Sequence, residues 1–189
     1  MDDDWKQAWQ PLVEAVGQDF SEGKRYWGAD CVEKGGIRRF LEPLEFDCPL
    51  HYDDAIARRH GYGGVIAPFS SYLSLTIPAI WRPGKSVFTS AEPHAQPESD
   101  NPIAGIGTKL APPTSGYFAT DLEIEYLKPV LVGDRLCRAG RRLLSCEPKE
   151  TKVGRGAFTG WETEIRNQDD EIVALLRLTV FSYNPHPEQ

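Results

Sequence analysis

No window of this chain approaches the roughly 18 uninterrupted apolar residues that a membrane-spanning helix requires, so the sequence offers no candidate span. Its first residues, MDDDWKQAW, are acidic and lack the apolar core of a secretory leader, which sets the expectation of a cytoplasmic protein. Basic residues are outnumbered, 21 against 28 acidic, and the net charge of -7 argues against nucleic acid or an anionic membrane as partner. Cysteine is sparse and unpaired in pattern. Cys31, Cys48, Cys137 and Cys146 form no C-x-x-C pair, and no histidine stands at zinc-ligand spacing. They read as reduced, mostly packed thiols rather than a disulfide frame or a metal site. There is no internal repeat, and Gly61, Gly63 and Gly64 are not followed by the GK[ST] of a phosphate loop.

What is present is ordinary globular composition, with 40% hydrophobic and 26% charged residues in a chain of 189. A chain of that size forms one domain and buries roughly 70% of its unfolded surface. Asp4 can cap a helix in which Trp5, Ala8, Trp9, Leu12, Val13 and Val16 recur at helical spacing, with a bend at Pro11 and a stop at Gly17. Residues 24–33 read as one extended segment, after which Gly35 and Gly36 release the chain.

From Ile37 onward, Phe40, Leu41 and Leu44 share a helical face, and Pro43 and Pro49 stop propagation, so residues 45–52 form a loop presenting His51. Asp53 or Asp54 caps the next helix, which ends at Gly61. Pro68 then opens FSSYLSLTIPAIW, apolar around most of its circumference, which predicts a long buried helix. Residues 82–117 are rich in Pro, Gly, Ser, Asn and Asp and read as a long loop over a site.

Period-two alternation follows. Phe118, Leu122, Ile124 and Tyr126 alternate with Asp121, Glu123 and Glu125 as a half-buried strand, and three more strands end near Cys146, Arg166 and Tyr183, the last two joined by an NQDD turn. Helices followed by an antiparallel meander predict an α+β fold with the sheet wrapped around the central helix, the hot-dog arrangement. The expected organisation is an N-terminal helical extension over 1–23, a single hot-dog domain over 24–183 and a frayed tail over 184–189.

FLEPLEFDCPLH, from Phe40 to His51, with Asp53, Ala57, Gly61, Ile66 and Ala67 after it, resembles the MaoC-like or R-specific enoyl-CoA hydratase pattern. In that pattern an aromatic residue leads to Ser-Gly-Asp-x-Asn-Pro-x-His. The stretch is especially similar to MaoC-type N-terminal dehydratase domains, the FAS1-like dehydratases, and IRRF, GGVIAP and LKPVLVGDRL extend the resemblance to about residues 24–183. It implies reversible addition of water to a 2-enoyl thioester, with no cofactor beyond coenzyme A or an acyl carrier as part of the substrate. It also implies a homodimer, or a heteromer with a second hot-dog subunit.

The alignment of Phe40, Pro49 and His51 puts Phe46 where the family carries its aspartate, Glu45 at the glycine and Cys48 at the asparagine. His51 is therefore the candidate acid/base, with Asp47 or Glu45 as acidic helper. Backbone N–H groups of Phe69 or Ser70 are candidate donors to the thioester oxygen, and Arg38 and Arg58 candidate contacts for coenzyme A phosphates. Each has a plainer reading: His51 braces its loop, Asp47 fills a turn, Cys48 is a packed thiol and the arginines are solvated helix faces. Three functions stay open: a hydratase or dehydratase, a non-catalytic hot-dog subunit paired with a catalytic one, and a thioesterase or acyl-thioester binding protein.

Overall fold

Four long strands carry the fold: β2 (Gly116–Tyr126), β3 (Cys137–Thr151), β4 (Gly154–Arg166) and β5 (Ile172–Pro185). The computed structural model describes residues 4–88, 90–93, 95 and 108–186, so part of the loop expected over 82–117, and the end of the expected tail, lie outside the described residues. With the short β1 (Arg25–Trp27) the strands form one antiparallel sheet in the order β1-β3-β4-β5-β2. This is not the simple meander that the strand sequence predicts. β3, β4 and β5 are joined by tight turns, but β2 crosses to the far side and pairs with β5, Glu123 opposite Arg177 and Tyr126 opposite Ala174. Asn184 and Pro185, placed in the frayed tail by the sequence, belong to β5.

The helices are α1 (Asp4–Gln7), α2 (Gln10–Glu14), α3 (Lys34–Leu41), α4 (Asp54–Arg59) and α5 (Tyr72–Leu75). The single N-terminal helix expected from the spacing is broken in two, because Pro11, at the start of α2, has no N–H with which to bridge back. Trp9, Leu12 and Ala15 still bury together, and Trp9 and Leu12 pack with Leu143, Ala157 and Trp161 of the sheet. The expected strand over 24–33 shrinks to three residues. Gly35 and Gly36, read as a release, lie inside α3, whose Ile37 and Leu41 are buried in the main core. That burial outweighs the roughly 1 kcal/mol that each helical glycine costs.

The long central helix is the largest departure. A 3-10 turn over Phe69–Ser71 leads into α5, which stops at Leu75. Pro78 supplies the reason, since it disfavours helical backbone at Ile77 before it, and the Thr76 hydroxyl closes the end by donating to the Leu73 carbonyl at 2.7 Å. The hot-dog wrapping holds nonetheless. Tyr72 is fully buried within the main core of Val32, Ile37, Leu41, Val65, Ala67, Val130, Leu136, Ile165, Val173 and Ala174.

Arg138 of β3 reaches the end of α5. Only 8% exposed, it donates from Nε to Thr76 Oγ1 at 2.8 Å, and its Nη2 lies 3.5 Å from the Leu73 carbonyl. Burial pulls its pKa down, and among the described residues it has no carboxylate partner. The helix C-terminus supplies the compensating negative end. Arg138→Met keeps the stem and removes the charge, and we expect it to lower stability by about 1–3 kcal/mol in urea unfolding.

Candidate active site

His51 closes a 3-10 turn, Pro49–His51, that proline starts and Asp53 follows as the cap of α4, its carboxylate accepting from the Ala55 and Ile56 N–H groups at 2.7 and 3.0 Å. The imidazole is buried, with Nδ1 2.8 Å from the Ile66 carbonyl. A carbonyl only accepts, so Nδ1 carries the proton and Nε2 is left as the acceptor. Ile66 is itself held by a bridge to Leu131, and Ala67 N–H donates to the Val130 carbonyl at 2.8 Å. Histidine orientation is thus tied to the strand-like pairing of residues 65–67 with 130–132.

His51 lines a cleft of about 290 Å³ together with Lys34, Gly35, Arg38 and Tyr52. Lys34 pairs with Asp54, and this contact comes first among the causes that hold the Asp54 carboxyl below its usual range, followed by the Val65 N–H. Arg38 lies 3.7 Å from Glu42 one turn on. The Tyr52 hydroxyl donates to the Phe46 carbonyl at 2.8 Å and pins the loop before His51. The Phe46 ring then lies against the imidazole, centroids 5.7 Å apart and inclined at 42°.

The expected acidic helpers are elsewhere in contact terms. Glu45 is exposed in left-handed backbone at φ 50°, and Asp47 is exposed. Among the described residues no carboxylate pairs or hydrogen bonds with His51, and no group of three or more His, Cys, Asp or Glu could hold a metal. Phe69 and Ser70 begin the 3-10 turn after Pro68, and their N–H groups have no acceptor among the described residues. Arg38 enters the cleft, whereas Arg58 is exposed on α4 and is not among the lining residues. All four cysteines are free, and burial pushes the Cys146 thiol up to about 11.

Lys34 and Tyr52 went unmarked in the sequence reading. The signal for Lys34 was the helical spacing from Lys34 to Arg38, masked by two glycines; for Tyr52 it was adjacency to His51 alone.

Known proteins agree with this architecture. The family described as FAS1-like, dehydratase domain region, matches residues 14–176. A probable enoyl-CoA hydratase alpha subunit from Thermomonospora curvata is 28% identical over 183 residues, covering 95% of this chain. The chain spans about half the length of that relative, 51%. A chain of the ChsH1-ChsH2 complex from Mycobacterium tuberculosis superposes with a TM-score of 0.65 at 22% identity, over 98% of this chain and 94% of that one. A MaoC-like dehydratase from Rhodospirillum rubrum does so at 0.53 and 22%, over 91% and 100%. Among the described residues no helix is long and apolar enough to cross a membrane. With its wrapped sheet and a family match over most of its length, the chain has the hot-dog fold and belongs to the family of the FAS1-like dehydratase domain region.

Proposed function

We propose that this chain is one subunit of a 2-enoyl thioester hydratase, building part of the acyl site while a second hot-dog chain carries the acid and base of the reaction. The observation that carries the reading is Phe46. It stands where the aligned family pattern carries an aspartate, its half-exposed ring 5.7 Å from the His51 ring, and no described carboxylate is paired with that histidine.

Hydration needs a base that takes a proton from water as its oxygen adds to the β-carbon. Electrons then collect on the thioester oxygen, and an acid delivers a proton to the α-carbon. His51, its Nδ1 on the Ile66 carbonyl and its ring lining the cleft, has no carboxylate beside it among the described residues to help orient water. The unpaired N–H groups of Phe69 and Ser70 suit the enolate oxygen, a role worth about 2.7–4 kcal/mol per donor in other enzymes. Lys34 and Arg38 offer cations to the phosphates of coenzyme A, or to the phosphopantetheine of an acyl carrier, without any cofactor. Support for a partner comes from the relative described as an alpha subunit and from the two-protein complex that shares the fold.

The test is hydration of short and long enoyl-CoAs by the chain alone, by the chain with a candidate hot-dog partner, and by both with His51→Ala. Alone it should stay at background, and the partner should raise the rate by about 10²–10⁴ or more. His51→Ala should cost the assembled enzyme less than about tenfold in kcat/KM, short of the loss that removing a working acid or base brings. Hydration by the chain alone that disappears with His51→Ala would overturn the reading.

A further inference from the structure

The described residues hold a second cleft of about 440 Å³, larger than the one beside His51 and sharing no residue with it. Trp5, Trp9, Pro112, Arg155, Pro185 and His186 line it. Arg155 lies at the start of β4 opposite Asn184 of β5, whereas Ile165 of β4 packs in the main core with Ile37 of α3. At about 3.3 Å per residue, roughly 30 Å of strand separates Arg155 from Ile165. The cleft therefore sits at the opposite end of the sheet from α3, whose Lys34 and Arg38 stand beside His51.

Its walls are fixed by the chain itself. Trp9 belongs to the second core with Leu12, Leu143, Ala157 and Trp161, and Trp5 packs against that core. Asn184 accepts from the Ser115 N–H at 3.0 Å and donates to the Pro113 carbonyl at 3.1 Å, which holds residues 112–114 beside the cleft. The His186 ring donates from Nε2 to the Thr151 carbonyl at 2.9 Å. A ligand entering such a site has little left to order, and the volume falls within the roughly 300–1,000 Å³ of small-molecule sites.

The charge of the cleft runs against that of the chain. Net charge is -7, yet the lining carries the Arg155 guanidinium and no aspartate or glutamate. Glu150 accepts from Arg155 Nε at 3.1 Å and fixes the guanidinium, but is not among the lining residues. Two cations stand near the Trp5 ring centroid, Arg155 Cζ at 5.9 Å and Lys6 Nζ at 5.7 Å. The indoles, Pro112 and Pro185 supply flat apolar wall. A planar guanidinium matches the geometry of a carboxylate, and an aromatic ring gains from contact with another beyond the area it buries.

We propose that this cleft binds a small planar aromatic acid, its ring against Trp5 and the two prolines and its carboxylate beside Arg155. It is a ligand site separate from the acyl-thioester site, and it stands or falls independently of the hydratase reaction.

Isothermal titration of the full chain with 2-naphthoate tests it. We expect one-to-one binding with a Kd of about 1 mM or tighter. Naphthalene-2-methanol lacks the charge and decahydro-2-naphthoate lacks the aromatic rings, and each should bind about fivefold more weakly or worse. Arg155→Gln should erase the preference for 2-naphthoate over naphthalene-2-methanol, a readout that a merely structural role of Arg155 would not move. Ala8 is exposed and also lines the cleft, so Ala8→Phe narrows it without touching the core and should abolish binding of both ligands. A melting curve of each variant checks its fold. Lys34→Ala/Arg38→Ala, in the other cleft, should leave 2-naphthoate binding unchanged. No binding at millimolar 2-naphthoate overturns the proposal, as does equal affinity for the neutral analogue. Loss of binding in Lys34→Ala/Arg38→Ala also overturns it, by placing the ligand beside His51. None of these titrations reads hydration, so their failure leaves partner-dependent hydration untouched.

Discussion

Tyr72→Ala should lower the unfolding free energy by about 3–5 kcal/mol, and Tyr72→Phe by about 1–3 kcal/mol, both read from urea unfolding midpoints at unchanged slope. The ring is fully buried in the main core, edge-on to Tyr126 at 5.4 Å and beside Phe69 at 5.6 Å. Truncation therefore leaves a large cavity. Its hydroxyl accepts from the Val130 N–H at 2.8 Å and donates to the Lys128 carbonyl at 3.0 Å. Phenylalanine would keep the ring but orphan both backbone groups, which is the smaller cost. Burial raises the Tyr72 pKa, so the hydroxyl stays a neutral donor and acceptor. The loss should spread to the site, because Val130 also accepts from Ala67, next to the Ile66 carbonyl that holds His51. A stability loss confined to the alanine variant would show that the two backbone bonds contribute little.

Tyr72 also marks where the sequence stops being legible. The strand segments after residue 116, the Asp53 cap and the Gly61 turn at φ 88° follow from neighbours in the chain and stand in the structure, although β2 is largely exposed where its alternation predicts a half-buried strand. The pairing of β2 with β5 does not, because it closes a long crossover whose reward is side-chain packing between distant segments. Gly35 and Gly36 look like a break until Ile37 and Leu41 are seen to bury beside Val65 and Val130. Pro78 was visible in the sequence, yet the apolar run around it hid how early α5 must end. Of the candidate site, His51 and Arg38 were legible from motif and spacing. Lys34 and Tyr52 were not, because only the fold brings α3 over the turn that carries His51.

The same geometry predicts what one substitution should do. Phe46→Asp returns a carboxylate to the place from which the Phe46 ring now faces His51, and we expect hydration of a short enoyl-CoA by the chain alone to rise about 10²-fold over wild type. Loss of enoyl absorbance measures it. Both ends of the pair are already fixed. The Tyr52 hydroxyl holds the Phe46 carbonyl at 2.8 Å, and the Ile66 carbonyl holds Nδ1 of His51, leaving Nε2 free to share a proton with water. Position 46, rather than Asp47 or Glu45, is the one to change because its side chain is the one that lies against His51. The Phe46→Asp/His51→Ala double variant should fall back to background, since the two groups act as one device. If the gain survives without His51, the new carboxylate works alone and the histidine only braces its loop. If Phe46→Asp is silent in a folded protein, more than one side chain separates this subunit from catalysis, and the partner must supply the reacting site whole.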